Sequence, residues 1–273
     1  DDAQPPSSDN IICNICKASF PSRNQLFLHI RKGHQSVLSS STVTTPLPSI
    51  PIIYNDTHLL IVNKPQGIAT LNDCNTACLQ KSDVLLLSSH EILHSDFYRK
   101  AIPVHRLDVA TGGLVICCKS KQAEVNIKQS FTNRSVEKEY LAIVSGCLQP
   151  SEGSVCIPIA NKAAETQYIV ETCSQSRTYG WITTVRLRPK TGRTHQLRRH
   201  MRYIGHPILG DTRYSTTPLP GAGDADLCVL YLWAVGLKFP HPIETTESGE
   251  PRVCEVSIPE PDIFRRLRCV EEG

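Results

Sequence analysis

The pattern of apolar and polar positions predicts a chain that is rich in strands from residue 52 onward. Short apolar runs at 58–63 and 113–118 are typical of buried strands, and the alternation at 181–188 is typical of a half-buried one. Similar strand patterns occupy residues 139–146, 166–172, 230–239 and 253–258. Many strands with few helices predict an α+β domain with a largely antiparallel sheet.

Three segments have helical patterns. The first runs from Lys119 to about Asn133. The second covers residues 194–205, and we expect Thr194 to be its N-cap and Gly205 to follow its end. A third helix is expected after Pro261.

The composition divides the chain into segments. Residues 1–10 are polar and contain prolines, so we expect them to be disordered. Residues 35–51 are uncharged and rich in Ser, Thr and Pro, which is typical of an extended linker. We therefore predict a compact unit at 11–34, a large domain at 52–268 and a tail at 269–273.

Overall composition excludes few functions. Of the 273 residues 40% are hydrophobic and 20% charged, as in ordinary globular proteins, and a net charge of +3 does not by itself indicate a nucleic-acid partner. Most of the twelve cysteines are scattered through apolar runs, which predicts an intracellular, reducing compartment. No apolar run is long enough to cross a membrane. Because the chain starts with Asp1 and not with Met, the sequence leaves open whether a targeting segment precedes it.

The unit at 11–34 contains a metal-ligand spacing, Cys-x2-Cys-x12-His-x4-His, typical of a ββα zinc finger. A hairpin turn would bring two thiolates together, and a helix would offer two imidazoles to a structural Zn²⁺. Phe20 and Leu26 stand where such fingers place their small core. The predicted ligands are Cys13, Cys16, His29 and His34.

The partner of this finger is less defined. The positions that would read a DNA groove are Ser22, Gln25 and Leu28, and Leu28 is a poor base reader. One finger covers only about three base pairs. An accessory contact to RNA or protein is therefore favoured over a DNA-binding regulator, and a purely structural knuckle stays an alternative.

Two segments contain candidate catalytic residues. Asp108 follows Arg106 in the loop VHRLDVATGGLVI, whose glycines permit close approach of a ligand. An isolated loop Asp is more often a turn residue. Tyr140 begins an apolar strand, where a core tyrosine would be ordinary.

The segment 186–202 is basic and contains no acidic residue. Such a run is often only a solvated surface. However, Arg193 lies on a Gly turn before a helix whose N-terminal end is positive, and both features favour a bound phosphate. Arg198 and Arg202 lie one helical turn apart, and one of them could point inward toward a carboxylate.

Taken in order, HRLD, KEY, TGRTHQLRRH and GHPILGD resemble the motifs of the RluA-type RNA pseudouridine synthases, and IIYNDTHLLIVNKPQGIAT resembles that family's first strand and Asn-Lys-Pro turn. The resemblance covers residues 52–268. It implies a mixed, mostly antiparallel sheet with an RNA cleft across its middle. It also implies isomerisation of a flipped-out uridine to pseudouridine without a catalytic cofactor.

The resemblance also implies roles for residues. Asp108 would be the catalytic carboxylate, Tyr140 the active-site tyrosine, and Arg198 the arginine that pairs with the aspartate. The positions predicted to contact RNA are Lys64, Arg106, Arg193, His195 and Arg199. Two positions depart from the family's usual pattern, since Gly112 replaces a Ser and Trp233 replaces a His.

Two other functions compete with this prediction. One is an RNA-binding protein with an inactive synthase fold, and the other is a zinc-dependent DNA-binding regulator. We expect a monomer that acts on ribosomal, transfer or messenger RNA without a membrane partner, and the sequence does not choose among these RNAs.

Overall fold

The computed structural model describes residues 11–12, 18–20, 50–70, 101–176, 178–215 and 229–269. The chain divides into two compact units, Asp1–Pro48 and Ser49–Gly273. In the first unit, β1 (Ile11–Ile12) and β2 (Ser19–Phe20) form an antiparallel pair. The predicted metal ligands of this unit lie outside the described residues.

The second unit contains one large sheet and three described helices. Its strands are β3 (Ile52–Asn55), β4 (Leu59–Lys64), β5 (Ile102–Pro103), β6 (Gly112–Cys118), β7 (Glu137–Ser145), β8 (Glu152–Val155), β9 (Thr166–Ser176), β10 (Gly180–Pro189), β11 (Leu232–Thr245) and β12 (Pro251–Ser257). Its helices are α1 (Lys121–Thr132), α2 (Gln196–Tyr203) and α3 (Asp262–Cys269). No helix in the described part of the chain is long and apolar enough to cross a membrane.

The sheet has the order β3-β4-β6-β11-β7-β10-β9-β8, with β5 paired to β6 and β12 paired to β11. Among the described strands only the β6–β11 pair is parallel. The predicted α+β class with a mostly antiparallel sheet is therefore confirmed. The sequence pattern did not predict β5 and β8. These strands are too short to show the alternation of apolar and polar residues that marks a strand.

Apolar clusters cover the sheet. Helix α1 begins after its N-cap Ser120 and buries Ala123 and Ile127 against strands β4, β6 and β11. Helix α2 buries Leu197 and Met201 in a second cluster with strands β7 and β10. A third cluster buries Leu107 of the loop before β6 against strands β4 and β6, so this loop and helix α2 pack on the same sheet.

Helix α2 does not begin as predicted. Its N-cap is His195, which has a left-handed backbone with φ 54° and ψ 29°, and no side chain caps the helix from that position. The expected cap at Thr194 is therefore wrong. The Gln196 side chain instead accepts a hydrogen bond from the amide of Arg193 (3.0 Å), which turns the chain sharply just before the helix.

The two departures from the resembled pattern contact each other. Gly112 and Trp233 are direct partners in the parallel β6–β11 pair. A Cβ at position 112 would lie 2.5 Å from two atoms of the Trp233 ring, so the ring occupies the space that any side chain at 112 would need. The indole nitrogen of Trp233 donates to the Asn63 side chain (3.3 Å), which holds the ring in place.

Replacing Gly112 with Ser should lower the free energy of unfolding by about 1–3 kcal/mol, because the added atoms overpack against Trp233. In a Trp233→His background the same replacement should cost much less. Urea unfolding of the wild type, both single variants and the double variant measures this coupling. An equal cost of Gly112→Ser in both backgrounds would contradict it.

Candidate active site

A cavity of about 470 Å³ lies where three of the sequence segments meet. The loop before β6 contributes Asp108, strand β7 contributes Tyr140, and helix α2 contributes Arg198. The structure thus brings the three predicted catalytic residues together. Three of the predicted RNA contacts also line the cavity, namely Arg106, Arg193 and His195.

The loop that carries Asp108 is fixed by backbone contacts on both sides of the residue. The Thr70 hydroxyl exchanges hydrogen bonds with the amide and carbonyl of Leu107, at 3.1 and 3.2 Å. The amide of Gly67 donates to the carbonyl of Val109 (2.8 Å), and the amide of Thr111 donates to the backbone carbonyl of Asp108 (3.0 Å). These bonds involve the backbone and not the Asp108 carboxylate. The Asp108 side chain is 25% exposed, so its carboxylate can contact a ligand.

Arg198 is clamped by a second carboxylate. Its Nε and Nη2 donate to the two oxygens of Asp211, both at 2.8 Å. Arg198 is 8% and Asp211 3% exposed. Burial alone would raise the pKa of Asp211, but the hydrogen bonds and charge of Arg198 hold that pKa below its ordinary value. Both partners therefore stay ionised.

The remaining nitrogen of this guanidinium faces the loop that contains Asp108. Nη1 of Arg198 lies 3.4 Å from Oδ2 of Asp108. Bidentate binding to Asp211 fixes the plane of the guanidinium, so the direction of Nη1 is fixed as well. A cation of fixed orientation therefore lies directly beside the carboxylate of Asp108.

Tyr140 lies in the wall of the same cavity. Burial, and after it the negative charge of Asp108, raise the pKa of Tyr140 above its ordinary value. The residue is therefore a neutral phenol at physiological pH. It offers a ring face to a planar base and a hydroxyl that can donate.

Lys64 differs from the other predicted RNA contacts, since it is 0% exposed. Its ammonium donates to the carbonyls of Pro65 (2.9 Å) and Ile68 (2.8 Å). A buried ammonium in this position does not reach a phosphate at the surface, so the predicted RNA contact disagrees with the structure. Burial lowers the pKa of Lys64 to about 8, although the charge of Asp108 opposes the shift.

The turn before α2 is organised by Gln196. Its side-chain oxygen accepts from the Thr191 hydroxyl (2.7 Å) and from the amide of Arg193 (3.0 Å), while its nitrogen donates to the carbonyl of Glu165 (2.8 Å). The Arg193 guanidinium donates to the carbonyl of Ala163 (3.0 Å), which holds it at the rim of the cavity.

Arg199 is half-buried and does not line the cavity. Its contact with RNA therefore stays a prediction, as does phosphate binding at the start of α2.

One polar cluster elsewhere has the spacing of metal ligands, namely Asp56, His241 and Glu244. In this cluster Nδ1 of His241 accepts from the amides of Ile243 and Glu244, at 3.2 and 2.7 Å. Its Nε2 lies 3.1 Å from Asp56 and donates to that carboxylate. Both ring nitrogens are thus engaged in hydrogen bonds. The cluster is a structural network that links Asp56, just after β3, to β11.

Sequence reasoning missed Asp211 and Tyr214. Both lie in the segment after α2, and the sequence predicted no role for either residue, although GHPILGD was one of the motifs that resemble the family. The amides of Arg213 and Tyr214 donate to Oδ1 of Asp211, at 2.9 and 3.0 Å. The Asp in GHPILGD was the available signal, but its partner is identified only when the loop folds back on the helix.

Comparisons with known proteins agree with this geometry. The sequence pattern of the family described as "RNA pseudouridylate synthase" matches residues 58–203. The "Dual-specificity RNA pseudouridine synthase RluA" of Haemophilus influenzae is 36% identical over 211 residues, which are 72% of this chain and 89% of that protein. The chain belongs to the RNA pseudouridylate synthase family.

Further members of the RNA pseudouridylate synthase family resemble the chain in sequence and fold. The RluA protein of Salmonella typhi is 35% identical over 184 residues, covering 62% of this chain and 78% of that protein. Among solved structures, "Human RNA Pseudouridylate Synthase Domain Containing 4" has a TM-score of 0.60 at 26% identity, covering 80% of this chain and 93% of that one. The predicted pseudouridine synthase type of sheet is therefore confirmed.

The buried Lys64 predicts a pH dependence of stability in this pseudouridylate synthase. Between pH 8 and its ordinary pKa of 10.5, Lys64 binds fewer protons in the folded state than in the unfolded state. Its contribution to the free energy of unfolding should therefore rise with pH, by about 2–3 kcal/mol over that window.

Denaturant unfolding of the wild type and of Lys64→Met, each from pH 7 to pH 10.5, measures this contribution. The difference between the two proteins should shift in favour of the wild type as pH increases. Stability curves that run parallel over this range would show that Lys64 titrates normally.

Proposed function

We propose that this chain isomerises specific uridines of RNA to pseudouridine, with Asp108 as the catalytic carboxylate. The observation that carries the proposal is the contact of 3.4 Å between Arg198 and Asp108 inside the cavity. A clamped cation lies beside the carboxylate, and the ionised carboxylate is the form that can attack a carbon or accept a proton. Membership of the RNA pseudouridylate synthase family supports the same reaction.

The reaction breaks the bond between N1 of uracil and C1′ of ribose and forms a bond between C5 and C1′. The proton that leaves C5 is balanced by one that N1 gains. Because composition and oxidation state do not change, the balance requires no redox cofactor and no nucleoside triphosphate. Asp108 could attack the sugar or the base or remove a ribose proton, and all three need its ionised form.

A uridine in folded RNA must leave its stack to reach Asp108, which costs a few kcal/mol. Arg106 and Arg193 line the cavity, and phosphate contacts from such side chains can offset this cost. The neutral ring of Tyr140 can stack on the displaced base. The dual-specificity relatives act on RNA by name, which supports RNA as the substrate class here.

Replacing Asp108 with Asn should abolish pseudouridine formation, because the amide keeps the shape of the side chain but removes its charge. Binding of the same RNA should be nearly unchanged. Asp262→Asn is the matched control, since Asp262 is exposed on α3 and away from the cavity. Mass-shift tagging of pseudouridine in a transcript measures turnover. Turnover by purified Asp108→Asn would overturn the role of Asp108.

A structural zinc finger at residues 11–34 is part of the proposal. Its support is the ligand spacing of Cys13, Cys16, His29 and His34 together with the antiparallel pairing of β1 and β2. Ile12 pairs with Ser19, so the segment that contains both cysteines connects two paired strands, as the ββα arrangement requires. The finger would make an accessory contact to RNA or protein.

Purified protein should contain one zinc ion per chain by elemental analysis, and Cys16→Ser should lose it because a tetrahedral site needs four ligands. Cys156→Ser is the matched control, as Cys156 is an exposed free thiol in the large unit. Zinc-free wild type, or full zinc content in Cys16→Ser, would refute the finger.

A further inference from the structure

His195 has a left-handed backbone conformation, which is uncommon for residues other than glycine. Its φ of 54° and ψ of 29° lie in the left-handed region, which is costly for a residue with a side chain. Residues held in this way cluster at functional sites. The conformation turns the imidazole into the cavity, where Nε2 lies 3.7 Å from Oδ1 of Asp108.

The two oxygens of Asp108 therefore face two different partners. Arg198 approaches Oδ2 and His195 approaches Oδ1. The distance of 3.7 Å exceeds hydrogen-bond length, but contacts of catalytic groups are often long without substrate and tighten in the complex. His195 is thus placed to orient the carboxylate from the side that Arg198 leaves open.

Tyr214 contacts both of these partners. Its hydroxyl lies 2.9 Å from Nδ1 of His195, and the two rings meet edge to face with centroids 5.6 Å apart. The guanidinium carbon of Arg198 lies 5.2 Å from the centre of the Tyr214 ring, a cation–π distance. Tyr214 itself is held through its amide by Asp211 (3.0 Å).

These contacts select one tautomer of His195. An ionised Asp108 can only accept a hydrogen bond, so the nitrogen that faces it must carry the proton. Nε2 then donates toward Asp108, and Nδ1 accepts from the Tyr214 hydroxyl. The tyrosine hydroxyl can donate or accept, and it supplies the donor that this arrangement needs.

The charged groups around His195 keep it neutral. Burial lowers the pKa of His195, the cations Arg198 and Arg213 act in the same direction, and the carboxylates Asp108 and Asp211 oppose them. The pKa is lowered on balance, so the imidazole is uncharged near neutral pH. Arg198 then remains the charged partner of Asp108, and His195 orients the Asp108 carboxylate without adding a charge.

We propose that His195 is a positioning residue for Asp108, holding Oδ1 through Nε2–H, and that Tyr214 fixes the tautomer and the ring of His195. The inference rests on the proposed role of Asp108. It gives His195 a function beyond the predicted contact with RNA, and it makes Tyr214, which the sequence did not indicate, part of the same arrangement.

The test uses the full chain and an RNA that the wild type modifies and Asp108→Asn does not. His195→Gly removes the imidazole while glycine retains the left-handed backbone. Tyr214→Phe removes the hydroxyl and keeps the ring beneath Arg198. Steady-state kinetics of both variants and of the double variant, with melting temperatures, separate the roles.

His195→Gly should lower kcat about tenfold or more with KM nearly unchanged, as expected for loss of a hydrogen bond to a charged group. Tyr214→Phe should lower kcat by a smaller factor, and it should have no further effect in the His195→Gly background. A raised KM with unchanged kcat in His195→Gly would show an RNA contact and overturn the proposal. An undiminished effect of Tyr214→Phe in the double variant would overturn the part of Tyr214.

Discussion

The buried ion pair between Arg198 and Asp211 is the constraint on which the site depends. Burial of two charges is costly unless each is fully paired and hydrogen-bonded. Two bonds of 2.8 Å and two backbone amides meet this condition. The pair uses Nε and Nη2 of the guanidinium and leaves Nη1 for Asp108. A lysine at position 198 could not do this, because an ammonium has no fixed fork of donors.

The sheet brings the two sides of this contact together. Asp108 precedes β6, whereas Arg198 follows β10 on the far side of β11. The parallel pairing of β6 with β11 joins these two parts. At Gly113 the strands approach so closely that a Cβ would lie 2.2 Å from a backbone oxygen of Ala234. The glycine thus lets the loop that contains Asp108 lie within reach of Arg198.

The sequence was sufficient for the strands with clear periods and for the meeting of Asp108, Tyr140 and Arg198 in one cavity, because local pattern and motif order contain that information. It was insufficient where contacts between residues distant in sequence determine the burial or the partner of a side chain. The resemblance predicted that Lys64 contacts RNA, whereas its side chain is fully buried, which is rare for a lysine. Asp211 acquires its role only from Arg198, thirteen positions away. Such pairings depend on tertiary geometry, which no local pattern encodes.

The same burial that protects these contacts also separates the ionisation states in the cavity. Arg198 lies beside Asp108, while burial and the negative charge of Asp108 keep Tyr140 protonated. The negative charge that faces the cavity beside Tyr140 is therefore that of Asp108, and Tyr140 presents a neutral ring. Any proton that Tyr140 helps to move must pass through its neutral hydroxyl, since a phenolate beside Asp108 would place two negative charges together in a buried site.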